Sequence, residues 1–353
     1  MQITNRKYFL VYFFIFQILL LKVIARFPVQ VEKYYSNGIY PYIARFSRSV
    51  FGLFSFSVGD ILYSGLIIWL LVWYYKNRKA SWNTKILAFV NLLSISYFLF
   101  HFLWGLNYYR VPLYDKMHLK TDYSQEELVQ FTKKLIVKTN ATHFLITHDT
   151  AKSVKFPYPL TSIYKDSDKG YNALVLKHPY FNYETPSIKN SLISYPLTYM
   201  GFGGYINPFT NEAQVNYLPP KYNLPATTAH EMAHQMGFAS ESECNFIGYL
   251  AVTSHPDNYY KYAGYTYALR YCLKSISLQN EELAHSLLQT IHPGVLKNFK
   301  ENRDFALKHT SVIDKFFEWF YDHFLKLNQQ DDGIESYSKF LDLLVNYEFK
   351  NKT

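Results

Sequence analysis

Three apolar stretches near the start of the chain limit what the rest of it can do. Tyr8 to Ala25 is broken only by Gln17 and Lys22, Val58 to Tyr75 is rich in Leu, Ile and Trp, and Ile86 to Leu106 ends in aromatic residues. Each approaches the roughly 20 residues that cross a bilayer as a helix. Lipid supplies no hydrogen-bond partner for peptide groups, so a segment that crosses it must satisfy its backbone internally. The expectation is a three-helix membrane region over residues 1–110, with spans at about 8–25, 58–75 and 86–106. A signal peptide is the alternative for the first stretch, but Val23-Ile24-Ala25-Arg26 is a poor cleavage site, which favours a retained anchor. Asp60 and His101 are ionisable groups near membrane depth, a pattern that can mark a transport path. Both lie close enough to the end of a span to reach an interface, and that plainer role is expected.

Positive charge orients the spans. Lys76, Arg78, Lys79 and Lys85 lie between the second and third stretches, and Arg6 and Lys7 precede the first. Holding both groups in the cytoplasm puts everything after Arg110 on the outer side. Arg26, Lys33, Arg45 and Arg48 oppose this, because they fall in the connection that would then lie outside. The formal charge of +9 could also point to nucleic acid. No basic stripe accompanies a nucleic-acid motif, however, so none is expected as a partner. The bilayer is expected instead, and 34 Tyr and 29 Phe suit a chain with membrane interfaces. Cys244 and Cys272 belong to no CxxC pair, which leaves either one disulfide or two buried thiols.

From residue 111 to 353 the sequence is mixed and polar. Ser124 with Glu127 forms a capping-box pattern ahead of a helix at about 125–139. Residues 147–183 lack periodicity and read as loops with a short strand at Ala173 to Leu176. Tyr199 to Asn207 and Glu212 to Leu218, the second alternating like a half-buried strand, predict a hairpin around Phe209-Thr210-Asn211. Its edge could hold an extended peptide, or it could be an ordinary core hairpin. Helices are then expected at about 225–236, 240–253, 258–277, 281–291, 295–307, 312–324 and 334–348. The Phe-rich stripe of Phe316, Phe317, Phe320 and Phe324 is expected to be core.

The helix at 225–236 carries the chemistry. His230-Glu231-Met232-Ala233-His234 places two imidazoles four residues apart, on one helical face, where they can hold one Zn2+ ion. Pro225 suits the first turn and Gly237 the stop, giving about 12 residues, too short to cross a membrane. A catalytic zinc normally takes three protein ligands. Glu241 is the preferred third ligand and Glu243 the competitor, although Ser240 and Glu243 also fit a capping box. Asn245, four residues after Glu241, could hydrogen-bond a ligand imidazole. In this pattern zinc lowers the pKa of a water and polarises a carbonyl, while Glu231 acts as general base. Tyr259, Tyr260, Tyr265, Tyr267 and Arg270 are candidate oxyanion donors.

His230-Glu231-x-x-His234 followed by Glu241-x-x-x-Asn245 resembles the gluzincin type of zincin metallopeptidase. The chain is also similar to a family of bacterial membrane proteins defined as a domain of unknown function. There, three spans precede segments like Trp104-Gly105-Leu106-Asn107-Tyr108-Tyr109-Arg110, Asn207-Pro208-Phe209-Thr210, His230 to Gln235 and Asn245 to Ala251. The resemblance implies a mainly α (α+β) zincin-like domain over 111–353, with a small β-hairpin or sheet beside the motif helix. It also implies a multi-pass protein of the bacterial cytoplasmic membrane. The expected function is a zinc endopeptidase acting on a peptide or protein substrate. The alternative is a catalytically inactive, zinc-stabilised sensor or assembly module.

Overall fold

The computed structural model of the chain describes residues 2–328 and 337–350, and it is mostly helical with one small sheet. Three helices are long and apolar enough to cross a membrane: α1 (Gln2–Ile24), α3 (Val58–Lys76) and α4 (Trp82–Leu103). Their flanks are largely exposed, and lipid rather than protein is the solvent for such faces. The chain is therefore membrane-anchored. Ser57 caps α3 through the Asp60 amide, and Ser81 caps α4 through the Thr84 amide.

The connection between α1 and α3 is a structured part of the domain. A π-helical stretch, Val31–Ile39, in which the Tyr40 amide reaches back to the Tyr35 carbonyl, leads into α2 (Tyr40–Phe51). With Leu21, Trp104, Tyr109 and Ala239, its residues Val31, Tyr35, Tyr40 and Ala44 form a small second core. The boundary expected at residue 110 thus does not separate two packed units: residues 28–51 and 104–110 pack into the domain that follows. Their polar side chains have partners there. Arg110 makes a two-pronged contact with Glu32 at 2.8 Å on both oxygens, and Lys116 reaches the same carboxylate at 2.5 Å. Arg48 is buried against backbone carbonyls, and Arg45 pairs with Glu184 at 2.7 Å.

The main core is built on α5 (Gln125–Thr147), α6 (Leu224–Gln235), α7 (Glu241–Ser254), α8 (Asn258–Gln279) and α10 (Tyr337–Lys350). The Ser124–Glu127 capping box forms in full, and α5 continues eight residues past its expected end. For the last helix, positions 334–336 of the expected range lie outside the described residues. Between 147 and 183 two short helices, Leu160–Asp166 and Asp168–Leu174, replace the expected loops, and no strand forms at Ala173 to Leu176. The physical reason is packing: Ile163, Tyr171 and Leu174 are all buried on one side of these turns.

The sheet has three strands in the order β1 (Ile188–Asn190), β3 (Ala213–Val215), β2 (Gly204–Ile206). β1 runs parallel to β3, while β2 and β3 form the expected antiparallel hairpin with Tyr205 opposite Gln214. β3 is buried on both faces rather than one, because it is the central strand and its polar neighbours bind a membrane span. Glu212 accepts the amides of Val58 (3.2 Å) and Gly59 (2.7 Å) at the free N-terminus of α3. Asp60, in the same turn, accepts from the Leu192 amide, Ser191 and Tyr205. That is the plain interfacial role expected for Asp60.

Candidate metal centre

The motif helix α6 is fixed at its C-terminal end by membrane-linked segments. Helix C-termini leave carbonyls without partners. Here Trp104 Nε1 donates to the His234 carbonyl at 3.1 Å, and Tyr40 donates to that of Gln235 at 3.0 Å. Arg48 also donates to the Gln235 carbonyl, at 2.7 Å, and Arg110 to that of Gly237, at 2.6 Å. The two guanidinium charges sit where the helix dipole favours cations. Gly237 turns the chain at φ +84°, and a Cβ there would lie 2.7 Å from the Tyr40 ring, so both conformation and space demand glycine.

Beyond that turn α7 brings Glu241 back to the two imidazoles. His230 Nε2 and His234 Nε2 stand 3.1 Å apart, and the Glu241 oxygens lie 3.2 Å from the first and 3.5 Å from the second. Donors about 2.0–2.1 Å from one tetrahedral zinc stand roughly 3.3 Å from each other. The spacing and the N, N, O donor set therefore fit that ion. Glu243 is turned away, with its carboxylate accepting from the Leu113 amide at 2.6 Å. The capping box expected for Glu243 is absent: Ser240 makes no side-chain cap and bonds Ser242 instead.

Glu231 is buried, and one carboxylate oxygen, Oε2, has no hydrogen-bond partner. Its oxygen and the two imidazole nitrogens lie within 4.8 Å of one another. Burial pushes its pKa up to about 7. Close approach by β2 creates this setting, because a Cβ on Gly204 would come 2.7 Å from Glu231 Oε1. Burial also opposes ionisation of Glu241, but His234 and His230 outweigh it and hold that carboxyl well below the usual range.

The support around these groups differs from what the sequence suggests. Asn245 does not bond an imidazole; its Oδ1 accepts from Tyr267 at 2.6 Å. His234 Nδ1 instead faces the Phe238 carbonyl at 2.8 Å and Cys244 Sγ at 3.2 Å. A carbonyl in that place fixes the tautomer that leaves Nε2 free as a ligand. Cys244 is held as a thiol, since burial pushes it up to about 12, and both cysteines are free.

Of the proposed oxyanion donors only Tyr267 lines the cavity. Arg270 is engaged by Tyr222 and Asn223, and Tyr260 by the Ile163 carbonyl. Tyr321 reaches the centre instead, donating to Glu241 Oε1 at 2.6 Å from α9 (Val312–Leu327). No local pattern singles out Tyr321, which is 80 residues from its partner. The Phe-rich stripe of α9 is likewise not core: Phe316 is exposed, while Phe317, Phe320 and Phe324 line the cavity.

That cavity, about 970 Å³, opens over His230, Glu231, His234 and Glu241, with β2 along one wall. Comparison with curated proteins and with solved structures gave no match. The family described as a protein of unknown function, DUF3810, matches residues 35–345, a span that takes in most of the docked N-terminal segment, two membrane helices and the whole centre, and the chain belongs to that family.

Proposed function

We propose that this chain is a membrane-anchored zinc metallopeptidase of the gluzincin type, with its C-terminal domain on the outer face of a bacterial cytoplasmic membrane. The observation that carries this reading is the convergence of His230 Nε2, His234 Nε2 and Glu241 beside the unpartnered Oε2 of Glu231. The three converging donors would hold the ion. When bound, zinc would supply Lewis acidity toward a water and a substrate carbonyl.

The chain's own groups do the rest. Glu231 takes a proton from the attacking water at Oε2 and returns it to the amide nitrogen as the C–N bond breaks. A carboxylate with one free oxygen in a buried setting is placed to make both transfers. Among the described residues strand β2 has an unpaired edge beside Glu231, and an extended substrate chain can add to it through main-chain hydrogen bonds. Tyr321 holds Glu241, and Phe238 and Cys244 hold His234. The outward orientation is supported by Lys76, Arg78, Lys79 and Lys85 between α3 and α4, and by the burial of Arg48 within the protein.

Zinc content and cleavage of casein by the purified full-length protein test the proposal. The wild type should carry one zinc and cleave, and Glu231→Gln should keep the metal and lose about 10²–10⁴ in kcat. A wild type that binds no stoichiometric metal sinks the reading.

A further inference from the structure

The cavity mouth is bordered by apolar side chains that continue the membrane spans. Asp60, in the first turn of α3, accepts from the Leu192 amide at 2.7 Å, which sets the 191–200 segment level with the end of a span. Leu192 and Tyr195 of that segment are 59% and 66% exposed, and Leu53, just ahead of α3, is 83% exposed. Tyr199 packs on the His309 ring at 5.4 Å, carrying this rim to the start of α9.

Helix α9 has three faces. Phe317, Phe320, Tyr321 and Phe324 line the cavity together with Asp314 and Glu318, Phe320 being also half exposed, and Phe324 packs on Phe100 of α4 at 6.2 Å. Asp322 and Lys326 form a charged stripe, paired at 2.8 Å. Ile313, Phe316 and Trp319 occupy the third, all more than half exposed. A row of aromatic residues facing water would be costly and unexplained. Beside the end of a membrane span it is what a helix lying in the headgroup layer presents. The cavity itself extends along the first turns of α3, because Tyr63, three residues further along it than Asp60, lines it and stacks on Tyr205 at 6.4 Å.

We infer that the cavity is reached from the membrane surface, and that its substrate is the juxtamembrane segment of a polypeptide anchored in the same bilayer. This rests on the peptidase reading. A polypeptide is favoured over a lipid because the wall beside Glu231 is the unpaired main chain of β2, for which an acyl chain has no hydrogen-bonding group. A chain leaving the bilayer in extended form, rising about 3.3 Å per residue, reaches the level of Asp60 and Tyr205 within a few residues.

The test uses zinc-loaded full-length protein in vesicles of phosphatidylethanolamine and phosphatidylglycerol. Nitroxide labels at Phe316→Cys and Trp319→Cys should be more accessible to oxygen than to a water-soluble nickel chelate. Both native cysteines are buried and should stay unlabelled. Labels that prefer the chelate overturn the inference whatever the turnover.

In the second arm a casein segment is supplied either free or fused to one transmembrane helix in the same vesicles. The anchored form should be cut at least about tenfold faster, as tethering raises effective concentration. Combined Phe316→Ser and Trp319→Ser should remove that advantage while free-segment cleavage persists. Equal rates for the two forms overturn the inference and leave the peptidase reading standing. Cleavage of neither by a metal-replete protein overturns the peptidase reading and the inference with it. Release of fatty acid or headgroup from the vesicles, without peptide cleavage, replaces the polypeptide with a lipid.

Discussion

Two buried clusters of charge lie on either side of the Gly237 turn, and they are finished in opposite ways. In one, Glu32 meets Arg110 and Lys116, and Arg110 also binds the Gly237 carbonyl. Burial alone would raise the Glu32 pKa, yet the two cations hold it near 2. In the other, His230, Glu231, His234 and Glu241 converge with no Lys or Arg bonded to them among the described residues, and a Glu231 oxygen lacks a partner. Burying a carboxylate is expensive unless it is paired. The first cluster is closed by the protein's own cations and does structural work. The second is left open on the side of a cavity, and only the two imidazoles face its carboxylates among the described residues.

Removing a charge should therefore have opposite consequences in the two places. Arg110→Met leaves Glu32 with Lys116 alone and takes the donor from the Gly237 carbonyl, and should cost about 3–5 kcal/mol in equilibrium unfolding at pH 7. Because the folded pKa of Glu32 is depressed, its contribution is complete above the unfolded value of 4.5 and fades as pH falls toward about 2. The deficit of the variant should shrink over that window; a deficit independent of pH would show that Glu32 is not what Arg110 stabilises.

Glu231→Gln should stabilise the metal-free protein. The folded pKa of Glu231 is raised, so its contribution is favourable below 4.5 and is lost as pH rises through about 7. At pH 8 the variant should gain up to about 3 kcal/mol over wild type, with no gain at pH 4. Equal stability at both pH values would close the gap between the clusters and remove the argument for an open site. The smallest effect is expected at the edge of the centre. Tyr321→Phe should weaken zinc binding about 10- to 100-fold in a competitive chelator titration, as loss of a group that holds a metal ligand does. Unchanged affinity would mean that Tyr321 bonds Glu241 only when the metal is absent.

What could be read from the sequence was local. Pro225 and Gly237 bound the motif helix, and His230, His234 and Glu241 follow from spacing along two consecutive helices. The span at Val58 begins where expected because Ser57 caps it. Features that depend on distant contacts were not legible. Alternation in Glu212 to Leu218 suggested a solvent face, but Glu212 and Gln214 are buried because a span N-terminus lies against them. Ser240 and Glu243 matched a capping box, yet Leu113, 130 residues away in sequence, took the carboxylate. The stripe on α9 has ordinary core periodicity, yet it borders a cavity and leaves Phe316 exposed, which only the packing of α9 beside α4 reveals.

The grip on the end of α6 also sets an order of events during synthesis. Tyr40 and Arg48 meet their carbonyl acceptor at Gln235 across 195 and 187 residues of chain. A ribosome adding about 5–20 residues per second makes that interval last roughly 10–40 s. Until then Arg48 has only its earlier partners at Glu184, Thr185 and Asn211, so the docking of the segment between the first two spans is completed late. Chains that stop short of Gln235 would leave a membrane-inserted stub exposing the same groups, a form that quality-control proteases could recognise.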